Sequence, residues 1–245
     1  MRNSVVLLLS FVFLVGCSHK PVSVAVPAAP PLSPAQLPNS ESQSASAHSQ
    51  TNTDQAEVPL DAKPLWSETG IASWYGAPYH NRRASNGEVY DMHAMTAAHR
   101  TLPLGTIVRV TDMKTGSSAM VRITDRGPFI EGRIIDLSRS AAEKVGIVQR
   151  GTAEVRIDVL KTPSAVVAGG RWAVQIGAIE REKAARELAA RLSRRYRTAN
   201  VLTFNSPVGD WWVRIRVKGD LRARAEEVAH DTTTSEGAIF LVRLD

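Results

Sequence analysis

The pattern of apolar and polar positions changes character several times along the chain. Ser4 to Val15 is almost wholly apolar, too short for a membrane-spanning helix but right for the core of a signal peptide, which predicts a leader over residues 1–16. From residue 17 to 69 the pattern dissolves into Pro, Ser, Ala, Gln and Thr. Few side chains there could offset the entropy of ordering, so the stretch is expected to be a disordered tether with a typical reach of about 40 Å. Between residues 70 and 160 apolar runs are short and glycines frequent, which predicts strands at Ile71–Tyr75, Thr106–Val110, Ala119–Thr124, Arg133–Leu137 and Glu154–Leu160 in a small all-β barrel. One helix is expected from Ser138 to Val145, with Ser140 and Glu143 at capping-box spacing and Gly146 as its stop. Residues 161–170 read as a linker. Residues 171–245 then give strand 172–176, helix 181–196, strand 200–204, strand 211–217, helix 221–229 and strand 238–244. The first of these helices carries Ala185, Leu188, Ala189, Leu192 and Tyr196 on one stripe, and the βαββαβ order predicts a split sheet with both helices on one face.

Composition adds constraints. The 245 residues are 43% apolar, enough for a real core, and the net charge of +6 is spread over both folded regions rather than gathered into one block. That distribution suits a polyanionic cell envelope and gives no nucleic-acid-binding block. Cys17 is the only cysteine, so no intramolecular disulfide is possible, and with scattered histidines it supplies no metal-ligand set; no metal and no cofactor is expected. Leu14-Val15-Gly16-Cys17 resembles the lipobox of bacterial lipoproteins, in which the cysteine becomes the acylated N-terminus. The resemblance implies a lipid anchor on Cys17, and Ser18 rather than Asp after it implies the outer membrane of a Gram-negative cell.

Four residues are candidates for chemistry. Glu88 follows the Asn86-Gly87 turn signal, His99 closes Thr96-Ala97-Ala98, Asp125 opens a Gly-Pro turn, and Asp136 precedes the expected helix. Each has an ordinary alternative: a solvated turn carboxylate, a satisfied core histidine, an Asx turn and a helix cap. Taken together they say more, because the turns in the eleven residues from Asp125 to Asp136 could bring two strand ends, and so two acids, to one site. Such a pair lets one carboxyl keep a proton while the other is ionised. Trp74 and Tyr75 add aromatic faces on which sugars stack, unless they are core.

Ala72-Ser73-Trp74-Tyr75-Gly76, Asn86-Gly87-Glu88-Val89-Tyr90-Asp91, the run from Thr96 to Thr106, Thr124-Asp125-Arg126-Gly127-Pro128-Phe129 and Arg133-Ile134-Ile135-Asp136-Leu137-Ser138 resemble the rare lipoprotein A family. The resemblance implies a six-stranded double-psi β-barrel and lytic transglycosylase activity on peptidoglycan. It places cleft residues at Glu88, Asp91, His99 and Asp125, matches Asp136 to the key acid of related barrels, and leaves the division of labour between the two aspartates open. Trp74, Tyr75 and Arg126 are expected substrate contacts. The chain departs from the pattern at Ala84, usually Thr, which removes a hydroxyl, and at Asn81, often Gly. Residues 171–245, through Trp172-Ala173-Val174-Gln175-Ile176-Gly177-Ala178 and Trp212-Val213-Arg214-Ile215, resemble the SPOR domain, a small α+β ferredoxin-like fold that recognises septal glycan stripped of peptides. Gln175 and Trp212 are its expected glycan contacts, while Ile179 in place of Phe and Lys218-Gly219-Asp220-Leu221 in place of Gly-Pro-Phe alter the pattern. Trp211 and Trp212 must point to opposite faces of a strand, so both cannot share one role. The expectation is a lipid-anchored septal enzyme; the alternatives are an expansin-like wall-binding protein and a septal adaptor with division-protein partners.

Overall fold

The computed structural model describes residues 58–59 and 62–245. The leader, Cys17 and most of the tether lie outside the described residues. Strands β1 (Trp66–Tyr75), β2 (Thr96–His99), β3 (Ile107–Asp112), β4 (Ser118–Asp125), β5 (Arg133–Ser138) and β6 (Ala153–Lys161) close a barrel in the order β1-β5-β2-β4-β3-β6. The pairs β1–β5 and β2–β4 are parallel and the others antiparallel, which is the double-psi arrangement. Inward side chains such as Ala97, Val108, Val121, Ile123, Ile135, Leu137 and Ile157 fill the interior.

The barrel differs from the sequence expectation in three places. β1 begins at Trp66, five residues early, because Ser67 and Glu68 have polar partners on the barrel: Ser67 Oγ donates to Asp158 and Glu68 meets His99. β2 was not expected as a strand; all four of its residues are buried, so it shows no alternation. The helix α1 (Arg139–Val145) is capped by Ser138 rather than Ser140. Ser138 Oγ accepts from the Ala141 N–H at 3.2 Å and donates to the Ala94 carbonyl at 2.6 Å, a double engagement open only to the residue that ends β5. Gly146, at φ 79°, ends the helix as expected.

The second domain is a four-stranded antiparallel sheet, β10-β7-β9-β8, built from β7 (Trp172–Ile179), β8 (Asn200–Asn205), β9 (Trp211–Arg216) and β10 (Ala238–Arg243). Helices α2 (Glu182–Arg195) and α3 (Arg222–Asp231) cover one face through Ala185, Leu188, Leu192, Ala225 and Val228. The opposite face, with Ala173, Gln175 and Phe240, turns to the barrel, where Phe129 inserts against it. Gly177 makes that approach possible: a Cβ there would lie 3.0 Å from Phe129 Cβ. The main-chain oxygen of Asp245 accepts from Arg126 and from the Leu104 N–H, and Arg243 N–H donates to the Arg100 carbonyl.

Candidate active site

The site is set by strand register. β2 lies between β4 and β5, and Ala98 is the partner of both Asp125 on β4 and Asp136 on β5. Residues in register on neighbouring strands project to the same face, so the three side chains stand in a row with the two acids on either side of a methyl group. With strands ~4.8 Å apart, the Cα atoms of the aspartates are separated by roughly 10 Å. All three line a cavity of about 880 Å³.

The two carboxylates are held differently. Asp125 Oδ1 accepts from the Ser85 hydroxyl at 2.5 Å, the Ser85 N–H at 2.9 Å and the Arg126 N–H at 2.8 Å. Among the described residues no donor reaches its Oδ2. Asp136 has both oxygens engaged, Oδ1 by Ser73 Oγ at 2.6 Å and Oδ2 by the Arg133 guanidinium at 3.1 Å. Burial pushes the pKa of each above the ordinary aspartate value; the Ser85 and Arg126 donors pull against it at Asp125, and the Arg133 charge, then Ser73, at Asp136. A carboxyl needs one oxygen free of donors to carry a proton, and Asp125 Oδ2 meets that condition.

Tyr75 departs from its expected use. One face of its ring stacks on Tyr90 at 4.3 Å, and Tyr79 meets it edge-on at 5.6 Å, so the ring is no platform for sugar. Its hydroxyl is buried with no hydrogen-bond partner among the described residues, while the ring lines the cavity and its pKa is driven well up by burial and then by the charge of Asp125. Such a donor lacks an acceptor until a ligand arrives. Tyr75→Phe is therefore expected to lower turnover about tenfold with the melting temperature unchanged or raised, since the variant removes a polar atom that burial leaves unpaired. Unchanged turnover would show that the hydroxyl meets nothing. Trp74 lines the cavity, its ring passing over Gly76, where a Cβ would come within 3.1 Å.

Other expected site residues lie elsewhere. Glu88 is exposed and forms a two-point ion pair with Arg122, at 3.0 and 2.7 Å, which holds its carboxyl below the usual value against the cost of burial. Asp91 faces His80 and accepts from the His93 N–H. His99 is buried: Nδ1 accepts from the N–H groups of Thr101 and Leu102, leaving Nε2 to donate to Glu68 at 3.3 Å, and burial lowers its pKa so that it is neutral at pH 7. None of these three lines the cavity. Arg126 borders the cavity, but its guanidinium donates to the carbonyls of His99, Leu102 and Asp245. Gln175 has no solvent-exposed surface, and its Oε1 accepts twice from Arg214, at 2.8 and 2.6 Å. Trp212 does reach the cavity, while Trp211 packs on the helix side, so the two face apart as expected.

Sequence reasoning missed Ser73, Ser85, Ala98 and Arg133. The loss expected at Ala84 is made good next door: Ala84 is packed with Tyr75 and Tyr90, and Ser85 supplies the hydroxyl that binds Asp125. A small polar residue one position from the expected threonine was the available signal.

A double-psi barrel with two half-buried aspartates in a cleft, followed by a ferredoxin-like domain, defines the class, and the comparisons agree. Residues 67–157 match the family described as "Lytic transglycolase", and residues 168–230 match the SPOR domain. The "Endolytic peptidoglycan transglycosylase RlpA" of Campylobacter jejuni is 38% identical over 201 residues, covering 71% of each chain. That of Vibrio cholerae is 58% identical over 95 residues, 39% of this chain and 36% of the relative. An expansin of Clavibacter michiganensis, 16% identical, aligns over 73% of this chain and 90% of its own with a TM-score of 0.34. The chain belongs to the RlpA family. It spans between about a third and a half of several other curated relatives it matches.

Proposed function

We propose that this chain is an endolytic lytic transglycosylase that cleaves the bond between N-acetylmuramic acid and N-acetylglucosamine in peptidoglycan. The observation that carries the reading is the register of Asp125 and Asp136 across Ala98, which sets a carboxyl with a free oxygen opposite a carboxylate paired to Arg133 in one cavity. Protonated Asp125 gives its proton to the leaving glycosidic oxygen as the C1–O bond breaks. The resulting carboxylate then takes the proton of the muramic C6 hydroxyl as that oxygen closes on C1. The proton is restored to Asp125, no water is consumed, and the product ends in a 1,6-anhydro ring. Asp136, ionised beside Arg133, stabilises the positive charge that develops at C1. Because no water must fit between the acids, the spacings that separate inverting from retaining hydrolases do not apply.

Strands free of peptide carry a carboxylate on each muramic residue, and Arg82, Arg83, Arg139 and Arg214 line the cavity as matching cations. This supports a preference for such strands. Incubating the protein with peptide-free glycan and measuring anhydromuramyl ends by mass spectrometry tests the activity; their absence at high enzyme concentration would favour a wall-binding protein. The chain is further proposed to be anchored through acylated Cys17 at the outer membrane, facing the periplasm, and directed to the septum by its SPOR domain. Cys17→Ala is expected to move the protein from the membrane to the soluble fraction, and retention of the variant on membranes would refute the anchor.

A further inference from the structure

The cavity that holds Asp125 and Asp136 is not a property of the barrel alone. Phe204, Asp210, Trp212 and Arg214 of the second domain line it together with the barrel residues. The same short run that presents the acid also fastens the second domain: Asp125 faces the cavity, Arg126 binds the Asp245 main chain, and Phe129 packs edge-on against Trp212 with ring centres 5.3 Å apart. Trp212 in turn meets Phe204 at 5.4 Å, and the Arg214 guanidinium lies over the Phe204 ring at 5.0 Å.

We infer that the second domain forms one wall of the catalytic cleft, so that the strand being cut is held by both domains at once. The inference rests on the glycan-cleaving reading above and specifies how that substrate is seated. The centre of the sheet face is closed by the barrel, as the burial of Gln175 shows, so a glycan cannot lie across it. The open part is the β8–β9 edge, and it gives onto the cavity. Its chemistry suits a sugar away from the scissile bond: flat aromatic groups in Trp212 and Phe204 for the ring, and a cation in Arg214 for a muramic carboxylate. Burial brings the Arg214 pKa down to about 10, so it remains charged at neutral pH and within the field of Asp125.

The test uses the full chain and a soluble peptide-free glycan oligosaccharide. Trp212→Ala removes part of the wall, and Gly177→Leu wedges the sheet away from Phe129 without touching the acids. Each is expected to raise KM about tenfold, with kcat changed by no more than about twofold, because the contact lies away from the reacting atoms. If the wedge unfolds the domain, Phe204→Leu reads the same wall while keeping apolar bulk. Unchanged KM in folded variants would overturn the inference, since a domain that merely tethers the enzyme would not alter cleavage of a small soluble substrate. If the wild type forms no anhydromuramyl ends, the proposed activity fails separately. Calorimetric affinity of Asp125→Asn for the same oligosaccharide, with and without Trp212→Ala, then decides the wall, and equal affinities would overturn it.

Discussion

Asp125→Asn is expected to lower the formation of anhydromuramyl ends by about a hundredfold to ten-thousandfold, the range over which a positioned general acid and base acts. The amide can still accept from Ser85 and Arg126 through its oxygen, so the local hydrogen bonds survive. Stability should hold or rise. Burial raises the folded-state pKa of Asp125 above the unfolded value, so its favourable contribution is present below the unfolded pKa and is lost as pH rises through the folded one. Once pH passes the folded-state pKa, the ionised group is a cost that asparagine removes. The rate profile has the matching sign: activity falls at high pH as Asp125 loses its proton and at low pH as Asp136 gains one. Both limbs are shifted upward from the ordinary aspartate value because burial raises both pKa values. A folded Asp125→Asn variant of undiminished activity would remove the assignment, and Asp136→Asn, assayed alongside, would show whether the roles are exchanged.

Arg126→Ala is expected to act on stability first. Arg126 is 7% exposed and its guanidinium donates to three main-chain oxygens in both domains; burial lowers its pKa to about 10 against the charges of Asp245 and Asp125, so it is charged at neutral pH. Removing it takes a donor from the buried carbonyls of His99 and Leu102, at about 1–3 kcal/mol each, while Asp245 keeps the Leu104 N–H, for a total loss of about 3 kcal/mol. Arg126→Lys should recover only part of this, because one ammonium cannot reproduce the planar fork. Urea denaturation measures the loss. A variant of full stability and weakened substrate binding would return Arg126 to the role of substrate contact expected from its place beside the acid.

The elements with clear periodicity were legible in the sequence. The stripe of α2 and the alternation of β9 show which face is buried, and the resemblance of the spaced motifs carried the fold. β2 was not legible, because a strand covered on every side has no polar positions to alternate with apolar ones. That omission hid the site's main geometrical fact, since Asp125 and Asp136 are related only through Ala98. The cap of α1 was displaced for a similar reason: capping-box spacing favours Ser140, with Glu143 three residues on, and only the turn out of β5 selects Ser138. Glu88 and His99 belong to the right motifs, yet their positions depend on Arg122 and Glu68, partners distant in sequence that no local pattern reveals.

The closing strand of the barrel has a consequence for timing. β6 is its last element, and it pairs with β1 over Trp66–Ala72 and with β3 over Ile107–Asp112. Until residues near Lys161 are in place, β1 and β3 present open edges, and the row of Asp125, Ala98 and Asp136 lacks the closed frame that holds its register. A growing or truncated chain therefore contains both acids but no cleft. The proposed bond-breaking activity, hazardous if released early, is then withheld by topology until synthesis of the domain is complete.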